Sequence, residues 1–470
     1  MSGSSGQQPN EPTAMNPAFH AYDIRGVWGV DFDAGVVYRI GRCLPGLLGA
    51  SRVLVGRDAR TSSPTIFDAL VRGLTEAGAD VDDMGLCTTP MTYFFTGERG
   101  YEAAVMITAS HNAKEYNGLK ISRKGALPVG EDSGLPELGR RIEGGLPAPA
   151  AKPGSVRRLD LLEDYLAFHR RWAPDLSGLK LVVDCSNGMA GLLARKLFGE
   201  GEGIAYLNET PDGTFPNHPP NPLLPEATAQ LSAEVARRGA DLGVIFDGDA
   251  DRVAFVDETG AFVRPDTMTA VLAERFLADE PGAAVLCDIR TSRGVTERIA
   301  ALGGVPHLWK VGHAFAKVKL RELRAPCGGE LAGHYYFRDF HWCDSAVLCA
   351  EIVLARAAAA KKAGRSFADL VREIDVYANS GECNYTVPDK DGALAAVRAW
   401  ADSLPPPDRV LDFDGVRYDW PDWWFNVRKS NTEPYLRLIV EAGTPALLAD
   451  RKAAIEAALK PFVADGARSE

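Results

Sequence analysis

Ser110 closes an apolar run and sits in a loop crowded with donors and cations: Thr108, Ala109, Ser110, His111, Asn112, Ala113, Lys114, Glu115, Tyr116, Asn117, Gly118, Leu119, Lys120. A serine at the end of a buried strand, taken alone, is most often a helix cap or a turn residue. With His111, Asn112, Lys114, Asn117 and Lys120 nearby, its hydroxyl is equipped to carry a phosphate dianion, because these groups donate to phosphate oxygens or offset their charge. No GxSxG elbow accompanies it and no Ser-His-Asp order is evident, so acyl transfer is not indicated.

A second cluster, Asp247, Gly248, Asp249, Ala250, Asp251 and Arg252, follows the apolar run 242–246. Three carboxylates on alternate residues can converge on a hard cation; the competing reading is a solvated acidic turn. A calcium EF-hand is excluded, since its sixth loop position would be Arg252 where glycine is needed and the flanks read as strands. Mg²⁺ takes few protein ligands and completes its shell with water or phosphate oxygens, so a phosphorylated Ser110 would be a natural further ligand. A third cluster, Arg428, Lys429, Ser430, Asn431, Thr432, Glu433 and Pro434, reads equally as an ordinary turn or as a receptor for a phosphate dianion. In the fourth, 328–334 (GGELAGH), glycines flank Glu330 and His334. That carboxylate can accept from adjacent sugar hydroxyls, although an unspecialised polar loop has the same composition.

Each cluster must be held by a scaffold, and the chain supplies a repeated one. The segments 52–60 (RVLVGRDAR), 102–112, 180–188, 241–252 and 283–292 are short aliphatic runs that end in polar or glycine-containing turns and lead into helix-like stretches. Such runs read as buried parallel strands, and ligands of open α/β sheets collect at their carboxyl ends. The last ~90 residues differ: 422–441 alternates aromatic and polar residues around a turn, as antiparallel strands do. The alanine- and leucine-rich stretch 345–362 reads as a packing helix.

A length of 470 residues implies three or four domains, and 46% apolar with 24% charged residues is the composition of a soluble globular protein. No apolar run reaches the ~20 residues of a membrane span. The net charge of −11, with both signs interspersed, argues against a nucleic-acid surface. Eight cysteines scattered singly indicate neither disulfides nor a zinc site, which fits a reducing cytoplasm. Residues 1–15 read as a loose polar tail. Proline and glycine in 144–155, the turn after Asp257 and a change of texture near Tyr377 suggest segments 16–155, 156–259, 260–375 and 376–470.

The four clusters, in this order and at these separations, resemble the α-D-phosphohexomutase superfamily over nearly the whole chain after the tail. The start at 20–26 (HAYDIRG) resembles its phosphomannomutase/phosphoglucomutase branch rather than the glucosamine branch. The resemblance implies four domains in a heart shape: three similar α/β domains and a C-terminal α+β domain around a central cleft. It implies phosphorylation of Ser110, Mg²⁺ on Ser110, Asp247, Asp249 and Asp251, and catalytic places for Arg25, His111, Lys120, Arg252 and His334. Tyr22, Arg290, His313 and Glu330 would contact substrate, and Arg428, Ser430, Asn431 and Thr432 would hold the phosphate that is not reacting. Two positions depart from the family pattern: Ala332 replaces the serine of the GExSGH motif, and Arg290 stands where some relatives have lysine.

The implied reaction interconverts hexose 1- and 6-phosphates of mannose or glucose through a bound hexose 1,6-bisphosphate, which also serves as activator, in a monomer or homodimer. Alternative readings are a phosphoglucosamine mutase, a metal-dependent phosphatase with the same nucleophile, and a catalytically silent paralogue that binds sugar phosphates.

Overall fold

The computed structural model describes residues 16–430 and 435–464, with the backbone of 468–469. Among these residues no helix is long and apolar enough to cross a membrane.

The aliphatic runs form the strands the pattern predicts. Arg52–Arg57, Asp80–Leu86 and Ala103–Ile107 pair in parallel, and Tyr116–Arg123 then returns antiparallel, with Ile24–Val27 beside it. In the second sheet Leu181–Asp184 is parallel to both Ile204–Leu207 and Leu242–Phe246. In the third, Ala284–Asp288 lies between Val305–Trp309 and Cys327–Gly329, again in parallel. The β-branched side chains of the inner strands are buried because a parallel sheet is covered on both faces, whereas Val305 on an edge strand is exposed. The last sheet is wholly antiparallel, and Trp423–Lys429 pairs with Tyr435–Ala442 as the alternation predicts. Ser345 caps the packing helix Ala346–Lys362, whose first nine residues are all buried.

Two expected boundaries fall inside sheets. Val156–Arg158 pairs with Asp80–Leu86, so the first sheet runs past residue 155. The turn after Asp257 joins Val253–Asp257 to Phe262–Val263, so it is a hairpin and the second sheet runs on to Val263. In both cases a short edge strand pairs with a distant or preceding strand, and the glycine-rich turn next to it looks from sequence like a linker.

The inner faces of the first three domains merge into one apolar core running from Leu54 and Phe94 through Tyr165 and Phe246 to Met268 and Phe337. The fourth domain has its own core around Trp423, Phe425 and Leu438. Between it and the third domain the contacts include many polar ones: Arg417 donates to the carbonyls of Ile289 (2.7 Å) and Thr291 (2.8 Å), and Val311 N–H donates to Asp414 (2.8 Å). Three domains thus share buried apolar surface, while the fourth meets the third at an interface rich in charged and carbonyl groups.

Candidate active site

Ser110 is buried, and its backbone is left-handed, with φ of +51°. For a residue with a Cβ that conformation costs ~1–2 kcal/mol, so the surroundings must hold it. They aim the hydroxyl at the second domain, where Ser110 Oγ donates to Asp247 Oδ2 at 2.7 Å. The loop carrying Asp247 approaches so closely that a Cβ on Gly248 would lie 2.6 Å from the Ser110 carbonyl oxygen, and only glycine fits there. His111 Nδ1 is 3.3 Å from Ser110 Oγ. Burial, then the cations of Arg252 and Arg25, push the His111 imidazole far below its ordinary pKa, so it is neutral. Arg25 donates to Asn112 Oδ1 (2.8 Å) and pairs with Asp23. The structure separates two members of the expected donor cluster from the rest. Asn117 turns to the hydroxyls of Ser62 (2.8 Å) and Ser63 (3.0 Å), and Lys114 is exposed.

Asp247, Asp249 and Asp251 are fully buried and each offers an oxygen within 4.8 Å of the others. Asp247 Oδ1 accepts from the N–H groups of Asp251 (3.0 Å) and Arg252 (3.1 Å), whereas Asp249 Oδ1 and Asp251 Oδ1 are buried with no hydrogen-bond partner. Burial and then the charges of Asp249 and Asp251 drive the Asp247 carboxyl well above its usual range. Orphaned oxygens and mutual repulsion in a dry pocket are what a hard divalent cation relieves, so the residues fit one. Two groups brace the set. Thr89, at the N-terminus of the helix Thr89–Glu98, donates to Asp249 through its hydroxyl (2.5 Å), and its N–H meets the Asp249 carbonyl (3.0 Å). Lys120 Nζ is 2.7 Å from Asp249 Oδ2 and also donates to Asp251. Burial opposes the Lys120 charge, but these carboxylates outweigh it and hold its pKa above the ordinary value.

The third domain enters through the 330–334 turn. Val253 N–H donates to the Gly333 carbonyl (3.1 Å), stitching this turn to the strand that follows the aspartates. Arg252 Nε donates to His334 Nε2 at 2.9 Å, and His334 Nδ1 is 2.8 Å from Asp344 Oδ2. The proton of a neutral His334 therefore sits on Nδ1, facing Asp344. Lys317 Nζ pairs with the other Asp344 oxygen at 2.7 Å. Glu330 Oε1 accepts from Tyr336 OH (2.9 Å) and Gly312 N–H (3.3 Å), and burial raises its pKa. Tyr22 meets the His313 ring edge-on at 5.4 Å, and His313 lies 5.8 Å from the His334 ring.

On the fourth domain Arg428 is buried, with Nε and Nη1 unpartnered among the described residues, and burial followed by the nearby Arg290 charge lowers its pKa. A buried guanidinium that repels a neighbouring cation and lacks bonds calls for an anion. Arg290 itself is occupied, on Asp288 (2.8 Å) and on Glu382 (2.9 Å), and Arg437 takes the other Glu382 oxygen (2.7 Å). Ser430 N–H donates to the Tyr435 carbonyl. Asn431 and Thr432 lie outside the described residues.

Four family models match in chain order: phosphoglucomutase/phosphomannomutase alpha/beta/alpha domain I over residues 16–143, domain II over 164–260, domain III over 264–377, and the C-terminal domain over 382–458. The chain belongs to the phosphoglucomutase/phosphomannomutase family. It is a phosphohexomutase, of the α-D-phosphohexomutase superfamily, and so an isomerase. It is 39% identical to a phosphomannomutase of Salmonella montevideo over 90% of this chain and 94% of that one. It is 40% identical to a protein of Xanthomonas campestris pv. campestris named phosphohexose mutases, over 93% and 97%. The crystal structure of a phosphoglucomutase/phosphomannomutase family protein from Burkholderia thailandensis superimposes with a TM-score of 0.85 at 32% identity, covering 95% and 97%.

The four-domain α/β and α+β architecture expected of this phosphohexomutase is the one observed. Sequence reasoning missed Thr89, Lys317, Asp344, Glu382 and Arg437, which share no motif with the groups they touch.

Proposed function

We propose that this phosphohexomutase interconverts the 1- and 6-phosphates of mannose and glucose through phosphorylated Ser110 and an enzyme-bound hexose 1,6-bisphosphate. The observation that carries the reading is the 2.7 Å bond from Ser110 Oγ to Asp247. It puts the group that would bear the phosphoryl and the carboxylates that would hold a cation in one buried pocket, as phosphoryl transfer by a serine requires.

In this reading Asp247, Asp249 and Asp251 hold Mg²⁺, which when bound offsets the charge on the phosphoryl oxygens in transfer. In the first half-reaction the bond between Ser110 Oγ and phosphorus breaks, and a new one forms to the C6 hydroxyl of a hexose 1-phosphate. The hydroxyl proton passes to His334 Nε2, the nitrogen that carries none, as Arg252 gives up that site to a phosphate oxygen. Lys120 Nζ supplies the proton that Ser110 Oγ takes up. The bisphosphate then turns over, its C1 phosphate moves to Ser110, and the proton transfers reverse. Glu330, oriented by Tyr336 and Gly312, accepts from sugar hydroxyls. Arg428, with Ser430, Asn431 and Thr432, binds the phosphate that is not reacting, in either orientation of the intermediate.

Intact mass of active protein is expected to show one phosphoryl, mapped to Ser110. Ser110→Ala is expected to stay folded, lose that mass and lose nearly all turnover of mannose and glucose 1-phosphates assayed with a 1,6-bisphosphate activator. Near-normal isomer formation by Ser110→Ala would refute the covalent route, and stoichiometric release of inorganic phosphate without isomer would favour a phosphatase.

A further inference from the structure

The turn Arg57-Asp58-Ala59-Arg60 ends the first parallel strand and takes no part in the mechanism above, yet it holds a charge in an unusual place. Arg60 is 1% exposed. Its guanidinium is spent on the Ser110 loop: Nη2 donates to the carbonyls of Ser110 (2.9 Å) and Asn112 (2.6 Å), and Nη1 to those of Ala113 (2.6 Å) and Tyr116 (3.0 Å). Nε donates to Asp58 Oδ2 at 3.2 Å, so every nitrogen of the head group is engaged. Asp58 is fixed in turn by the Arg60 N–H (3.0 Å) and the Ser63 hydroxyl (2.7 Å), and Ser63 accepts from Asn117 (3.0 Å) on the far side of the same loop.

Four carbonyls of one short loop pointing inward at a single guanidinium form a cage that dictates the loop's backbone. One of the four belongs to Ser110, whose left-handed φ of +51° is unfavourable for any residue with a Cβ. The second domain closes the cage from below. The Arg60 guanidinium lies 5.0 Å from the centroid of the Phe215 ring, and Gly213 packs so tightly that a Cβ there would be 2.4 Å from Arg60 Cα.

We infer that Arg60 is a positioning residue for phosphoryl transfer: it holds Ser110 in the strained conformation that aims its Oγ at Asp247, and through Phe215 it makes that conformation depend on the docked second domain. A planar fork with donors on both ends satisfies four carbonyls at once, whereas a lysine ammonium at the same position carries the charge but cannot span them. The loss expected on substitution is therefore one of geometry and not of charge.

The inference rests on the phosphoserine reading, and one set of experiments separates the two. Intact mass of the wild-type protein tests that reading, and a missing phosphoryl on Ser110 would overturn both. Given a phosphoenzyme, single-turnover transfer from it to glucose 1-phosphate is measured by rapid quench for wild type, Arg60→Lys and Phe215→Leu, together with steady-state KM. Arg60→Lys is expected to slow transfer about 100-fold with KM changed less than threefold, because misplacement of a reacting atom costs about that much without touching substrate contacts. Phe215→Leu is expected to slow it about threefold to tenfold. Added guanidinium is expected to raise the activity of Arg60→Ala at least tenfold, while methylammonium at equal concentration does not. Transfer by Arg60→Lys within threefold of wild type, absence of guanidinium rescue, or failure of both Arg60 variants to fold would overturn the inference. Wild-type rates in Phe215→Leu would overturn its interdomain part.

Discussion

Asp344→Asn tests whether His334 is held for proton transfer or merely packed. Asp344 is buried, with His334 Nδ1 2.8 Å from one of its oxygens and Lys317 Nζ 2.7 Å from the other. An amide has one accepting side and one donating side, so it can satisfy only one of them. If the amide oxygen faces His334, its NH₂ confronts the Lys317 cation; if it is flipped, the imidazole loses its acceptor and the proton moves to Nε2, against the Arg252 N–H that now donates there. Breaking a buried ion pair costs about 3–5 kcal/mol. The Tyr93 ring, 3.5 Å from Lys317 Nζ, is present before and after the change and leaves that figure as it stands. The loss of His334 orientation removes a general acid–base worth about 10²–10⁴ in kcat. Urea unfolding and steady-state kinetics of Asp344→Asn read the two effects together, and Asp344→Asn/Lys317→Met separates them. Removing both charges is expected to restore most of the stability and, because the amide oxygen is then free to face His334 without confronting a cation, part of the kcat. A kcat within threefold of wild type in Asp344→Asn would show that His334 does not need Asp344 and would refute the reasoning.

Three further outcomes follow from the same geometry. Chelation is expected to abolish turnover and Mg²⁺ to restore it, and Asp249→Asn to weaken Mg²⁺ binding measured by calorimetry; full activity after exhaustive chelation would leave the triad without its proposed occupant. Arg428→Met is expected to raise KM for hexose phosphates about 10- to 200-fold, the worth of one charge-assisted bond at about 1.5–3 kcal/mol, with the protein as stable as wild type or more so because a buried cation is gone. An unchanged KM would remove Arg428 from the phosphate site. His218 donates toward Asp184 (3.2 Å) and the Pro219 carbonyl (2.8 Å); burial lowers its pKa, but Asp184 outweighs this and the net shift is upward. Its stabilisation is thus complete below about pH 6.5 and fades as pH rises through the folded pKa, so the wild-type advantage over His218→Asn in urea is expected to shrink from pH 6 to pH 9. An advantage that grows with pH would contradict the sign.

The sequence by itself determined the local order of this protein. Aliphatic runs of four to six residues with polar ends specify buried strands, and Ser110 and Asp247–Asp251 lie in the loops that follow two of them. The aromatic alternation of 422–441 likewise specifies an antiparallel pair. Side-chain periodicity is a property of a few consecutive residues, so it survives without knowledge of the rest of the chain. Tertiary structure alone decided who meets whom. Ser110 and Asp247 are 137 residues apart, and Lys120 and Asp251 are 131 apart. Arg60 bends back under the serine loop, Asn117 turns away from it, and Asp344, in the strand Cys343–Asp344, and Glu382, just before the strand Cys383–Thr386, reach their partners with no motif of their own. Edge strands such as Val156–Arg158 and Phe262–Val263 joined sheets across apparent linkers, because pairing depends on an open neighbouring edge and not on the composition of the turn between. These contacts are set by how three sheets pack around a shared core and meet the fourth across a polar interface, and that packing is encoded only in the sum of many distant, individually weak interactions.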